Sequence, residues 1–153
     1  MRNIRQRGFT LIELMVVLVI IGIASAAVSL SIRPDPAAVL RKDAERLAQL
    51  LRVAQAEARA DGRPITWQAN AKGFAFSRHQ EQGTGIERFD NDPQLRPRPW
   101  QSVPMQVRIT PRQTLVLTAE WINPPLRVVL SDGQHRVSVE RNGAGELRVV
   151  NRP

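Results

Sequence analysis

No cysteine occurs among the 153 residues, so neither a disulfide framework nor a thiolate metal site is available to this chain. In an oxidising compartment its core must hold the fold alone, which one domain of this size permits. Histidine is nearly as scarce: His79 and His135 stand far apart and fall in no metal-ligand spacing. There is no Gly-x-Ser-x-Gly elbow, no phosphate-cradling glycine loop and no recognisable pair of carboxylates, and Gly83-x-Gly85 is too short to hold a phosphate. These absences point away from an enzyme and supply no catalytic residue, metal, cofactor or small-molecule substrate. A tethered enzyme would need a deep pocket with perturbed acids or histidines.

Lysine is almost missing too, and the positive charge is carried by arginine. Basic residues outnumber acidic ones by 22 to 14, for a net +8. Without Arg2, Arg5 and Arg7 at the N-terminus the balance is 19 against 14, or +5. That excess is modest and dispersed. The very high isoelectric point partly reflects arginine's own pKa and overstates the case for a nucleic-acid partner.

What the chain has is a long apolar run with one flaw. Residues 9–32 are 24 in number and contain one charge, Glu13. As a helix at ~1.5 Å per residue they cover roughly 36 Å, enough for the hydrocarbon core of a bilayer. An ionised carboxylate there costs on the order of 3 kcal/mol, so Glu13 is a functional candidate that needs a partner. The basic, acid-free residues 1–8 fit cytoplasmic retention by the positive-inside rule, leaving the following domain outside. The competing reading is a secretory signal peptide cleaved after Ala26, since Ala24-Ser25-Ala26 satisfies a small-x-small rule. Glu13 inside its apolar core, and an uncharged run that continues to Ile32, weigh against it.

Arg33-Pro34-Asp35-Pro36 interrupts the helical pattern, and Asp35-Pro36 reads as a capping carboxylate followed by a first-turn proline. Over 37–60, Leu40, Ala44, Leu47, Leu51, Ala54 and Ala58 recur with the period of one helical face, and Asp61-Gly62 supplies a stop. Beyond Gly62 the period becomes two. Ile65, Trp67 and Ala69, a turn at Asn70-Ala71-Lys72-Gly73, then Phe74 and Phe76 predict a hairpin. Residues 77–101 read as a solvated polar loop with a short strand at 86–89 and Trp100 anchoring its end. Within it Arg96-Pro97-Arg98-Pro99-Trp100 is a candidate for phosphates or an acidic partner. Alternation returns at Val103, Met105, Val107 and Ile109, and at 115–118. Strands at 126–130, 136–140 and 146–150, with Ser131-Asp132-Gly133 and Asn142-Gly143-Ala144-Gly145 between them, predict an antiparallel meander. The expectation is an α+β chain with about seven or eight strands, arranged as a leader (1–8), a membrane and assembly helix (9–33), an amphipathic helix on the sheet (34–62) and a β-rich domain (63–153).

Arg7-Gly8-Phe9-Thr10-Leu11-Ile12-Glu13-Leu14, after a basic leader and before a long apolar helix, resembles the N-terminal signature of type IV pilins and type II secretion pseudopilins. The resemblance implies a pilin-like fold, cleavage by a prepilin peptidase between Gly8 and Phe9, and N-methylation of Phe9. It implies that Glu13 docks onto the N-terminal amine of a neighbouring subunit during filament assembly. A cation and an anion, each costly in lipid, become tolerable once paired and hydrogen-bonded. Further along, Asp43-Ala44-Glu45-Arg46-Leu47-Ala48-Gln49-Leu50-Leu51, Gly62-Arg63-Pro64-Ile65-x-Trp67, Gly73-Phe74-x-Phe76 and Pro125-Leu126-Arg127-Val128-Val129-Leu130 before Asp132-Gly133 are similar to the H-type minor pseudopilins, the GspH family. The helix-then-glycine segment is shared with FimT- and FimU-like minor pilins of type IV pili. The implied protein is a non-enzymatic subunit at or near the tip of a periplasmic pseudopilus that exports folded proteins across the outer membrane. It would be single-pass in the bacterial inner membrane with its C-terminal domain periplasmic. Its implied partners are other major and minor pseudopilins, the prepilin peptidase, the inner-membrane assembly platform and the membrane itself. The alternative is a type IV minor pilin that binds DNA for natural transformation.

N-terminal sequencing of the mature protein should read from Phe9; a start at Ala27 would mark a secretory signal peptide and remove the anchor.

Overall fold

The computed structural model describes residues 9–31, 35–81, 83–120 and 124–151, with the backbone alone for 28–31. The chain divides into two units, Met1–Pro34 and Asp35–Pro153. In the first, α1 (Leu11–Ser31) is a helix of leucine, isoleucine, valine and small residues with one charge, Glu13. The break expected at Arg33-Pro34 lies outside the described residues.

The second unit begins with α2 (Pro36–Asp61), and its ends follow from local chemistry. Asp35 is extended and its Oδ1 accepts the Ala37 N–H at 3.0 Å, while Pro36 sits in the first turn, where its missing N–H costs nothing. Gly62, at φ +68°, ends the helix in a left-handed conformation that a Cβ would strain. Leu40, Ala44, Leu47, Leu51, Ala54 and Ala58 are each at most 1% exposed, so the helical stripe is the core face.

The strands in chain order are β1 (Ile65–Ala69), β2 (Gly73–His79), β3 (Ile86–Arg88), β4 (Arg98–Pro99), β5 (Gln106–Thr110), β6 (Leu115–Leu117), β7 (Leu126–Ser131), β8 (Arg136–Arg141) and β9 (Leu147–Asn151). They form two antiparallel sheets, one ordered β3-β2-β1-β6 with β4 also on β2, the other β5-β7-β8-β9. Helix α2 touches β1 and β6 of the first and β7, β8 and β9 of the second. This is the α+β architecture that the change of period predicts. Trp67 stands opposite Phe76 on one side and Leu115 on the other, all buried. Val128 faces Val139, and Leu130 faces Val137, in the second sheet. Each such side chain contributes about 1.5–3 kcal/mol relative to exposure.

Three expectations need correction. The described residues hold nine strands rather than seven or eight, because β4 is only two residues long and has no periodicity to read. Within 77–101 the expected short strand is present as β3 and Trp100 is buried as an anchor, but the stretch between them is not simply solvated: β4 pairs with β2, and Phe89 and Leu95 are buried. Gly73 makes the β4 pairing possible, since a Cβ there would collide with the Arg98 carbonyl. The strand expected from Val103 starts only at Gln106, with Val103 63% exposed. Strand β6 pairs with β1 in the first sheet, outside the C-terminal sheet, while the antiparallel meander expected over 126–150 is present as β7-β8-β9. The two C-terminal turns fall where the sequence places them, between Ser131 and Arg136 and between Arg141 and Leu147. Asn142 closes the second, its Oδ1 accepting the Ala144 and Glu146 N–H groups at 3.1 and 2.9 Å.

One carboxylate lies in the core. Asp43 is 0% exposed, and its oxygens accept the Gln101 and Ser102 N–H groups, both at 2.9 Å, and an Arg46 guanidinium N–H at 3.0 Å. Arg46 also donates to the Pro99 carbonyl at 2.7 Å. The pair therefore clamps the 99–102 segment onto α2. Asp132 does similar work in the β7–β8 turn. It accepts the His135 and Gln134 N–H groups at 2.7 and 2.8 Å and lies 3.0 Å from the His135 ring. Those contacts, the His135 backbone N–H foremost, hold its carboxyl down at about 2, against an ordinary 3.8.

Two stability measurements follow. Asp43→Ala leaves two backbone donors and a guanidinium without their acceptor, and should lower unfolding free energy by about 3 kcal/mol in chemical denaturation. A loss below about 1 kcal/mol would mean the clamp is dispensable. For Asp132 the folded value lies below the unfolded one, so its stabilisation is complete above the ordinary 3.8 and is lost as pH falls through about 2. Below that ordinary value of 3.8, the wild-type thermal midpoint should therefore fall more steeply than that of Asp132→Asn; parallel curves would refute the assignment.

Candidate functional site

Helix α1 starts at Leu11 because Thr10 caps it. The Thr10 Oγ1 accepts the Glu13 N–H at 3.3 Å, and the Thr10 carbonyl accepts the Leu14 N–H at 3.2 Å. Thr10-x-x-Glu13 has capping-box spacing, a signal present in the sequence and passed over there in favour of the charge alone. Glu13 thus sits in the first turn, where the helix dipole favours an anion. Among the described residues no cation lies within ion-pair distance of its carboxylate.

Around that carboxylate every large side chain is apolar and uncovered. Phe9 is 84% exposed, Leu11 79% and Ile12 71%, and the exposure continues through Ile23 with no polar face. A helix apolar on all sides needs an apolar environment on all sides. Among the described residues no helix is long and apolar enough to cross a membrane. The span expected over 9–32 runs on through 28–32, whose side chains lie outside those described, as does Gly8 of the Gly8-Phe9 cleavage site.

Of the second candidate, Arg96 to Trp100, the fold uses Arg98 and Trp100 and leaves Arg96 exposed. The backbone of Arg98 and Pro99 pairs with β2, and the Arg98 guanidinium donates to the Pro93 and Gln94 carbonyls, each at 3.1 Å. Trp100 is buried, with its ring 4.6 Å from that of Phe74 and its Nε1 donating to the Asn70 carbonyl at 2.9 Å. This stretch presents no cluster to a phosphate or an acidic partner. The histidines are not brought together: His135 pairs with Asp132, and the His79 carbonyl accepts from Arg63. Among the described residues no group of histidines and acids is placed to hold a metal ion.

Charged residues that sequence reasoning missed prove structural. Arg78 is held by Glu87 at 3.0 Å and by Asp61, and lies 5.1 Å over the Phe89 ring. Glu87, opposed by burial and helped by Asp61, raises the Arg78 guanidinium further above its ordinary range. Arg141 is 7% exposed and donates to the Pro124 carbonyl at 3.2 Å; burial pushes its guanidinium down. Asp43 was legible in principle, since Leu40, Asp43 and Leu47 share one helical face and place a carboxylate at a core position.

Comparison with known proteins meets this geometry at both ends of the chain. A family model of the prokaryotic N-terminal methylation motif matches residues 3–29, the stretch that holds Phe9, Thr10 and Glu13. A family model of the type II transport protein GspH matches residues 43–145, from the buried aspartate to the last turn. Among solved structures, the minor pseudopilin EpsH from the type 2 secretion system of Vibrio cholerae aligns over 73% of this chain and 96% of its own. It has 15% identity and a TM-score of 0.57. The type IV minor pilin FimU of Pseudomonas aeruginosa aligns over 74% of this chain and 88% of its own, at 20% identity and a TM-score of 0.51. At such identities the likeness concerns the fold. No match is found among curated proteins. The GspH match takes in well over half of the residues and the whole of the packed core from Ala44 to Val139, and on that basis the chain belongs to the type II transport protein GspH family.

Proposed function

We propose that this chain is a minor pseudopilin of type II secretion, a non-enzymatic subunit at or near the tip of a periplasmic pseudopilus that exports folded proteins across the outer membrane. The observation that carries the reading is the pairing of a methylation motif over 3–29 with a GspH match over 43–145 in one chain. In this reading the chain is held in the bacterial inner membrane by one helix, with its N-terminus cytoplasmic and the domain from Asp35 periplasmic. A prepilin peptidase cuts between Gly8 and Phe9, and Phe9 becomes N-methylated.

The mechanism is mechanical. The new amine on Phe9 and the carboxylate of Glu13 lie one helical turn apart on an otherwise uncharged segment. Neither is tolerable alone in hydrocarbon, where each costs on the order of 3 kcal/mol. If the amine of one subunit meets the Glu13 of the next, both costs fall together and the pairing sets the axial register. Such a contact is head-to-tail and does not close on itself, so the assembly can grow. The Thr10 cap supports this by fixing the first turn from which Glu13 projects. The assembly platform and the other pseudopilins are the partners this mechanism requires.

A second reading, a type IV minor pilin acting in natural transformation, draws on the fold likeness to FimU. Its DNA-binding form is weakened because Arg98 and Trp100 of the Arg96–Trp100 motif are engaged in internal contacts. Deleting the gene separates the two: loss of secreted folded proteins supports the pseudopilus, and loss of transformation with secretion intact overturns it. For the site itself, Glu13→Ala should leave membrane insertion and cleavage unchanged and reduce incorporation into filaments at least tenfold, measured by shearing and immunoblot. Normal incorporation would remove the docking role.

A further inference from the structure

The register of the second sheet gathers positive charge on the face turned away from α2. Val129 on β7 stands opposite Arg108 on β5 and Ser138 on β8, while Arg127 and Ser131 follow it on the same face of its own strand. Arg136 stands opposite Ser131, on the diagonal from Val129. Arg108, Arg127 and Arg136 therefore ring one half-buried valine, and all three line a single groove of about 510 Å³. Arg108 and Arg127 are diagonal neighbours, about 7–8 Å apart, where like charges repel by roughly 0.5 kcal/mol in water. The acid beside them, Glu140, is already engaged by Arg127 at 2.9 Å and by the Ser138 hydroxyl at 3.2 Å. Arg108 and Arg136 are exposed and make no ion pair among the described residues. By contrast, Arg46, Arg78 and Arg98 of this domain are tied to carbonyls or carboxylates.

We infer that this groove is a docking surface for an acidic polypeptide segment, bound in extended form along β5. Charge complementarity selects an anion, and the free edge of β5 selects its kind. A glutamate on a segment laid along that edge can present its carboxylate to the guanidinium fork of Arg108, whereas a phosphodiester backbone has no amide groups to pair with a strand. The sheet supplies the backbone half of the contact. Strand β5 is at its edge, with β7 as its neighbour in the sheet, so its outer N–H and C=O groups are available to an added strand. Alternate side chains of such a strand face the groove about 7 Å apart, which matches the two-residue steps along the strand direction from the level of Arg127 to that of Arg108 and then of Arg136. This goes beyond membership of a filament: it gives the domain a partner-selecting surface remote from α1 in sequence.

The test uses the full chain in neutral detergent micelles and fluorescence polarisation. The probes are a ten-residue peptide alternating Glu and Val, its Gln–Val counterpart, and a twenty-base-pair DNA duplex. The Glu–Val peptide should bind with salt-sensitive affinity, and the combined Arg108→Gln, Arg127→Gln, Arg136→Gln variant should weaken it at least tenfold. Arg112→Gln, which removes an exposed charge outside the groove, should bind as the wild type does. Should the triple variant lose its far-UV circular dichroism, Arg136→Gln alone takes its place, with a threefold or greater loss expected. Equal binding of the Gln–Val peptide, or unchanged binding by the variants, would overturn the proposal. So would duplex binding tighter than peptide binding and lost in the same variants, which would assign the surface to nucleic acid.

Discussion

The domain depends on one buried carboxylate. Asp43 lies within the apolar stripe of α2 and yet bonds outward, to the backbone of Gln101 and Ser102, while Arg46 beside it holds the Pro99 carbonyl. These contacts bring a segment more than fifty residues away in sequence against the helix. They deliver Trp100 to the Phe74 ring and Arg98–Pro99 to the edge of Gly73. A buried carboxylate with several donors is costly to strip of them, so it specifies one arrangement of an otherwise weakly patterned region. That region then closes one side of the first sheet, and α2 lies across both sheets.

Arginine does most of the polar work in the absence of cysteine and with little lysine. Its planar fork can satisfy two carbonyls at once, as Arg98 does with Pro93 and Gln94, or bridge two acids, as Arg78 does. Net charge is therefore a poor guide to partners in this chain. Many of the cations are consumed within the fold, and it is the residue left over on a sheet face that can act on something else. The same distinction explains why the Arg96–Trp100 stretch, the most suggestive basic run in the sequence, contributes to packing instead.

The two units obey different physics. In the domain from Asp35, apolar side chains bury one another between a helix and two sheets. In α1 the same residue types are exposed on every side through Ile23, and the one charge is the carboxylate in a capped first turn. Stability of the first kind is complete within the chain. The second kind is completed only by surroundings, which is why the candidate site lies in α1 and the scaffold in the other unit.

How much was legible follows from the range of the interactions. The α+β class, the α2 stripe, the β1–β2 hairpin and the Thr10–Glu13 start of α1 rest on neighbours within a few positions, and local sequence determined them. Periods of 3.6 and two, a capping carboxylate and a terminal glycine need no distant partner. The pairing of β6 with β1, the two-residue β4, the burial of Leu95, and the ring of arginines about Val129 were decided by tertiary structure alone. Each depends on which strand lies beside which, and a chain of alternating residues accepts more than one neighbour until long-range contacts such as Asp43 to Ser102 choose between them.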